Sequence, residues 1–176
     1  LGKTSVLAKD TPAFIGNRIG NFSIQSLFHL VKELNLTVEE VDKLTGPVIG
    51  HPKSATFRTV DLVGLDTLVH VTDGIYKNCP DDEARELFTH PDFVAQLMEK
   101  KWLGDKTKQG FYKKTTNAEG KREILSLDLH TMEYRKKIRP KFATLELTKT
   151  IEKPIDRFKV LIGGKDKAGE FYRKTF

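Results

Sequence analysis

KDTPAFIGNR, residues 9–18, joins two unlike sequence patterns. Before it, Ser5 to Ala8 is a short β-type run, and the spacing predicts an extended strand over residues 4–8 that Pro12 breaks. After it, FIGNRIGNFSIQSLFHLVKEL (residues 14–34) carries Ile15, Ile19, Phe22, Leu27, Val31 and Leu34 at steps of three to five, which predicts one long, largely buried helix. Two features of that helix need a reason. Gly16 and Gly20 lower helix propensity unless another backbone packs closely against them. Asn17 is polar in the first turns of an otherwise apolar segment, on the face it shares with Gly20, Asn21 and Ile24. It can serve as a local cap or face solvent. It can also be a neutral donor and acceptor at the mouth of a cleft, suited to orienting an acid–base group without competing for its proton.

Working outward, Thr37-Val38-Glu39-Glu40 is a capping box, in which the Thr hydroxyl and Glu carboxylate satisfy free amides at a helix start, and Gly46 closes that helix. Helices are predicted over 54–63, stopped by Gly64, and from a cap at Asp66 to about Asn78; others lie near 82–88 and over 92–101. Six helices with short connections and no sustained heptad indicate an orthogonally packed bundle. After Gly110 the pattern alternates: FYKKTT and REILSLDLH, joined by Asn117-Ala118-Glu119-Gly120, predict a β-hairpin. Two short helices follow over 142–151 and 154–162, the second with Pro154 in its first turn, and the amphipathic KAGEFYRKTF reads as a helix whose packing partner is not in the sequence. The expected fold is mainly α: an orthogonal helical bundle, then a β-hairpin and short helices.

With 176 residues, 38% of them apolar, the chain can bury one ordinary core. Cys79 stands alone, so there is no internal disulfide framework, which fits a reducing, cytoplasmic setting. No apolar run is long enough for a membrane span, and no secretory leader pattern is visible. The net charge of +6 favours anionic partners, and the surplus lies after Lys100, in KKWLGDKTK, YRKKIRPK and GGKDKAGEFYRK. These bases either form a solvated face or meet a phosphate-bearing cofactor; nucleic acid is disfavoured because no recognition motif accompanies them. Gly163-Gly164-Lys165 lacks the spacer and Ser/Thr of a phosphate loop, no G-x-G-x-x-G follows a strand, and five scattered histidines have no metal-ligand spacing.

Three ordered motifs resemble one family. KDTPAFIGNR is similar to the K-D-T-P-G-F-x-x-N-R junction of 3-hydroxyacyl-CoA dehydrogenases, where the NAD-binding domain runs into the C-terminal helical domain. VDLVGLD (60–66) resembles their D-x-V-G-L-D stretch, and LGDKTKQGFY (103–112) their L-G-x-K-T-G-x-G-F-Y. The resemblance implies a C-terminal helical domain of that family, like the C-terminal domain of 6-phosphogluconate dehydrogenase, over residues 11–113. Residues 1–10 would then be the end of an absent NAD-binding Rossmann domain and its junction, and 114–176 a hairpin linker leading into a second helical repeat. It implies oxidation of 3-hydroxyacyl-CoA to 3-oxoacyl-CoA in fatty-acid β-oxidation, with NAD and the catalytic His–Glu pair held by the absent domain. Asn17 would be the catalytic-site residue in this chain, with Asn21, Ser54 and Phe57 beside it at the substrate.

Three departures stand out. Ala13 replaces a family Gly, which is tolerated if φ stays negative, and Lys108 replaces another, which puts a positive φ there in doubt. HPKSATFRT (51–59) and ILSLDLHTMEYR resemble long multifunctional proteins that place the dehydrogenase before an enoyl-CoA hydratase, which would then be a partner alongside the Rossmann domain, the second repeat and a second copy in a homodimer. The rival reading is an interdomain or dimerisation scaffold in which Asn17 is merely structural.

Overall fold

The computed structural model describes residues 2–176; Leu1 lies outside the described residues. Eight α-helices and three strands follow one another as α1 (Gly16–Glu33), α2 (Val38–Leu44), α3 (Phe57–Val63), α4 (Leu65–Asn78), α5 (Asp92–Glu99), β1 (Tyr112–Thr116), β2 (Arg122–Leu127), β3 (Tyr134–Lys136), α6 (Ala143–Leu147), α7 (Pro154–Gly163) and α8 (Lys167–Thr175). Single 3-10 turns at Pro47–Ile49, Arg85–Phe88 and Asp105–Thr107 connect them, so the segment predicted as a helix near 82–88 is a 3-10 turn. The fold is mainly α, as expected.

The capping box forms. Thr37 Oγ1 accepts the Glu40 N–H at 3.2 Å, and the Glu40 carboxylate accepts the Thr37 N–H at 2.8 Å. Asp66, expected to cap α4, does not; Gly64 occupies that position at φ 102°, and the Asp66 carboxylate instead pairs with Lys106. The core is aromatic at its centre. Phe28 of α1 stacks on Phe57 of α3 at 5.4 Å, and Phe57 meets Phe111 at 4.5 Å, with Phe93 of α5 against both Phe28 and Phe111.

Two of the sequence motifs meet in space. Asp61, in VDLVGLD, is buried, and its carboxylate accepts the N–H of Phe111 at 2.9 Å and of Tyr112 at 2.8 Å, at the end of LGDKTKQGFY. Leu65 N–H reaches Leu103 O at 3.0 Å, and Arg58 grips Asp105 through both carboxylate oxygens at 2.7 and 2.6 Å. The glycines permit this closeness. A Cβ on Gly104 would lie 2.3 Å from Asp61 O, and one on Gly110 would lie 2.1 Å from Asp61 Oδ1. Lys108 keeps the positive φ (63°) that its side chain disfavours, closing the 3-10 turn with its N–H on Asp105 O at 3.0 Å.

The expected hairpin is present, β1 and β2 pairing antiparallel, but β2 stops at Leu127 and a third strand, β3, adds to its other edge. Glu39 of α2 fastens that sheet to the helices. It is buried, and it takes a two-pronged contact from Arg135 of β3 at 2.7 and 3.0 Å, the Ser126 hydroxyl at 2.5 Å and the Ile138 N–H at 2.9 Å. Burial alone would raise its pKa, but these donors together outweigh it and bring the carboxyl down to about 2.

Ser5–Ala8, expected as a strand whose partners lie in an absent domain, pair with no other described residue, and Val6 is 74% exposed and Leu7 fully so. Two expectations are corrected. Ala13 does not keep a negative φ. It sits at 63° and Phe14 at 48°, two successive left-handed residues that turn the chain into α1. The last helix, expected to lack a packing partner, has one. In α8, Phe171 and Tyr172 are wholly buried, and the Tyr172 hydroxyl donates to Leu44 O at 2.6 Å.

Candidate functional site

Asn17 lies on the exposed first turn of α1, and its side chain makes no hydrogen bond to another described residue. At the same end of α1, but on the side that Asn17 does not share, Ile15, Ile19 and Phe22, with Phe14 just before the helix, are 41–64% exposed, on a helix that buries Leu27, Phe28 and Val31 only farther along. With Phe88 these side chains border a depression of about 330 Å³ beside the Arg18–Asp82 ion pair. A cluster of large apolar side chains left open at one end of a helix marks a contact surface rather than scattered exposure. Gly16 and Gly20 belong to the same end, and a Cβ at either would meet nothing within 4 Å. The close backbone approach that would justify two glycines is therefore not made by this chain's own described residues.

Four residues farther along, Asn21 is buried. Its Oδ1 lies 3.0 Å from the Thr72 hydroxyl of α4, whose proton is shared with Leu68 O at 2.8 Å, and Gln25 Nε2 donates to the same hydroxyl at 2.8 Å. Asn17, Asn21 and Gln25 thus form one polar line running from solvent into the α1–α4 contact. The spacing of four was visible in the sequence; Thr72 as the hub was not.

Ser54 and Phe57 stand elsewhere, at the entry to α3. The Ser54 hydroxyl accepts from Thr59 Oγ1 at 2.9 Å. Phe57 is 0% exposed and enclosed by Phe28 and Phe111, so its ring presents no surface to a ligand, and its aromatic character serves the core. No hydrogen bond joins Ser54 or Phe57 to Asn17 or Asn21. The four expected site residues are two places rather than one.

The described residues do not fit a dinucleotide. Their sheet is antiparallel throughout, without the parallel strand–glycine loop–helix unit that receives a pyrophosphate. Nor does any group of three or more His, Cys, Asp or Glu among the described residues suit a metal ion. No helix among them is long and apolar enough to cross a membrane.

Comparison with known proteins gives this geometry its context. The family model described as 3-hydroxyacyl-CoA dehydrogenase, C-terminal domain, matches residues 14–114. The chain belongs to that family. Its relatives include a probable 3-hydroxyacyl-CoA dehydrogenase of Bacillus subtilis, 45% identical over 96% of this chain and 21% of the relative's length. A putative fatty acid oxidation complex trifunctional enzyme of Rickettsia prowazekii is 27% identical over 72% of the chain and 18% of its own length. Among solved structures, FadB2 of M. tuberculosis is 31% identical with a TM-score of 0.55, covering 64% of this chain and 38% of that one. The chain therefore spans about a fifth of the Bacillus relative. In this structure VDLVGLD and LGDKTKQGFY are the two halves of the Asp61 clasp, and their work here is structural.

Proposed function

We propose that this chain is the substrate-side helical domain of an NAD-dependent 3-hydroxyacyl-CoA dehydrogenase of fatty-acid oxidation, and that Asn17 is its contribution to the active site. The observation that carries the reading is an exposed amide side chain without a partner among the described residues, on an end of α1 that also leaves apolar side chains uncovered and two glycines with empty space beside them. A Rossmann domain elsewhere in the longer protein would seat over this end of α1, bringing its His–Glu pair and NAD to Asn17. NAD would supply the hydride acceptor. Asn17 would hold the acid–base group and the thioester end of the substrate in register, while the apolar side chains and the docked domain exclude water. Asn21, hydrogen-bonded to Thr72 one turn below, would stiffen this helix face.

Asn17→Ala in the longer protein tests this directly, with NADH production from a 3-hydroxyacyl-CoA as the readout. A lost orienting donor is felt as charge develops, so kcat should fall by about 10²–10³ with a smaller change in KM. A kcat within a factor of about two of the parent, with the fold intact, would leave the face as a docking scaffold only.

A further inference from the structure

A second concavity, sharing no lining residue with the Asn17 face, lies where α2 and the start of α3 meet the sheet and the strand that leaves it. Its volume is about 370 Å³, within the range of small-molecule sites. Lys43, Lys53, Lys137 and Arg139 line it, and none of the four forms an ion pair with another described residue. The acids that share the lining are already engaged. Glu39 is held by Arg135, Ser126 and the Ile138 amide, and Asp105 by Arg58 and Lys114. Asp42 accepts the N–H groups of Thr56, Phe57 and Arg58 at 3.1, 2.6 and 3.2 Å and the Tyr112 hydroxyl at 2.8 Å. Each carboxylate is thus tied to the protein's own donors, and the four free cations set the potential inside the cleft.

The walls add a second chemistry. Ile124, Ile138 and Pro140 form an apolar side, and Lys137 Nζ lies 4.9 Å from the centre of the Tyr112 ring. The cleft is also rigidly built: Asp42 ties α2 to α3 and to β1, and Glu39 ties α2 to β2, β3 and Ile138, so its sides are fixed before any ligand arrives. Preorganised cations beside an apolar wall suit an organic phosphate ester more than a free ion or an apolar molecule.

We propose that this cleft binds a phosphate ester of mononucleotide size, its phosphates between Lys43, Lys53, Lys137 and Arg139 and its ring against Ile124, Ile138 and Pro140. Four cations from three separate chain segments converge on a space the size of one such molecule, which a solvated basic face has no reason to enclose. The sequence showed YRKKIRPK as one basic run; only the fold brings Lys137 and Arg139 of that run opposite Lys43 and Lys53.

The test is titration of the isotope-labelled chain, followed by amide NMR shifts, with three probes: ADP, inorganic pyrophosphate and adenosine. ADP should saturate, shifting amides at residues 53–58 and 137–139, and bind at least about tenfold more tightly than either pyrophosphate or adenosine. The double variant Lys53→Ala/Lys137→Ala should weaken ADP by about tenfold or more while keeping its urea midpoint. Equal, non-saturating responses to ADP and pyrophosphate would mean unspecific charge attraction and overturn the proposal. So would an absence of shifts at millimolar ADP, shifts confined to other surfaces, or undiminished binding by the double variant.

Discussion

Gly110→Ala places one methyl group where the structure has no room. The new Cβ would lie 2.1 Å from Asp61 Oδ1, 2.7 Å from Gly104 Cα and 2.8 Å from Gly104 N. Two of these neighbours are backbone and cannot rotate away. The third is a buried carboxylate whose two oxygens hold Phe111 and Tyr112, the last residues of the loop and the first of the sheet. Relief to an ordinary contact needs a shift of more than about 1 Å, enough to break at least one of those bonds. An orphaned buried amide costs about 1–3 kcal/mol and overpacking a further ~1–3, so the substitution should cost about 4 kcal/mol in all. For a chain of this size that corresponds to a fall of about 8–16 °C in Tm. Gly74→Ala is the control, since α4 leaves open space there and ordinary helical φ, and it should gain about 0.5–1 kcal/mol. Urea unfolding followed by circular dichroism measures both. A Gly110→Ala midpoint within about 1 kcal/mol of the parent would refute the claim that the two motifs are locked through Asp61.

Removing Arg135 as Arg135→Ala should destabilise by about 3 kcal/mol, at the lower end for a broken buried pair because its side chain is 29% exposed while that of Glu39 is 1% exposed. In a double-mutant cycle, Glu39→Gln/Arg135→Met should cost clearly less than the sum of its parts, and additive losses would show that the pair is not coupled. Stability should also have an acid-side optimum. Burial pushes Asp42 and Asp61 each up to about 6 from 3.8, against the pull of their amide donors, so the stability they contribute is complete below about 3.8 and is lost as pH rises through 6. Glu39, lowered to about 2 from 4.5, acts in the opposite sense: its contribution is present above 4.5 and lost as pH falls toward 2. Urea midpoints should therefore fall between about pH 4.5 and pH 7 and fall again in stronger acid; a midpoint still rising toward neutrality would contradict the burial of both aspartates.

What could be read from the sequence was what local chemistry dictates. The Thr37–Glu40 box, the run of apolar residues in α1, the glycine stops and the turn at Asn117–Gly120 each rest on residues within a few positions of one another. The rest depends on distant partners. Nothing local marks Tyr134–Lys136 as a strand, since three residues pair there only because β2 offers an edge. Asp61 and Phe111 were legible as motif members, yet their contact across 50 positions was not. Phe57 shows the same limit at the site: an aromatic residue in a loop-to-helix stretch reads as a ligand contact until the rings of Phe28 and Phe111 close over it. The exposure of Asn17 follows from local chemistry, since its own helix offers its side chain no partner.

The Tyr172–Leu44 bond bears on how such a chain is made. Synthesis is vectorial, and Leu44 leaves the ribosome 128 residues before Tyr172 does. Until then the floor of the helical layer lacks the two largest side chains of α8, and the Leu44 carbonyl waits without its phenolic donor. At about 5–20 residues per second that interval lasts roughly 6–25 s, long enough for a nascent bundle to expose an apolar hollow to chaperones. Closure of this fold is thus a late, long-range event rather than a helix-by-helix accretion.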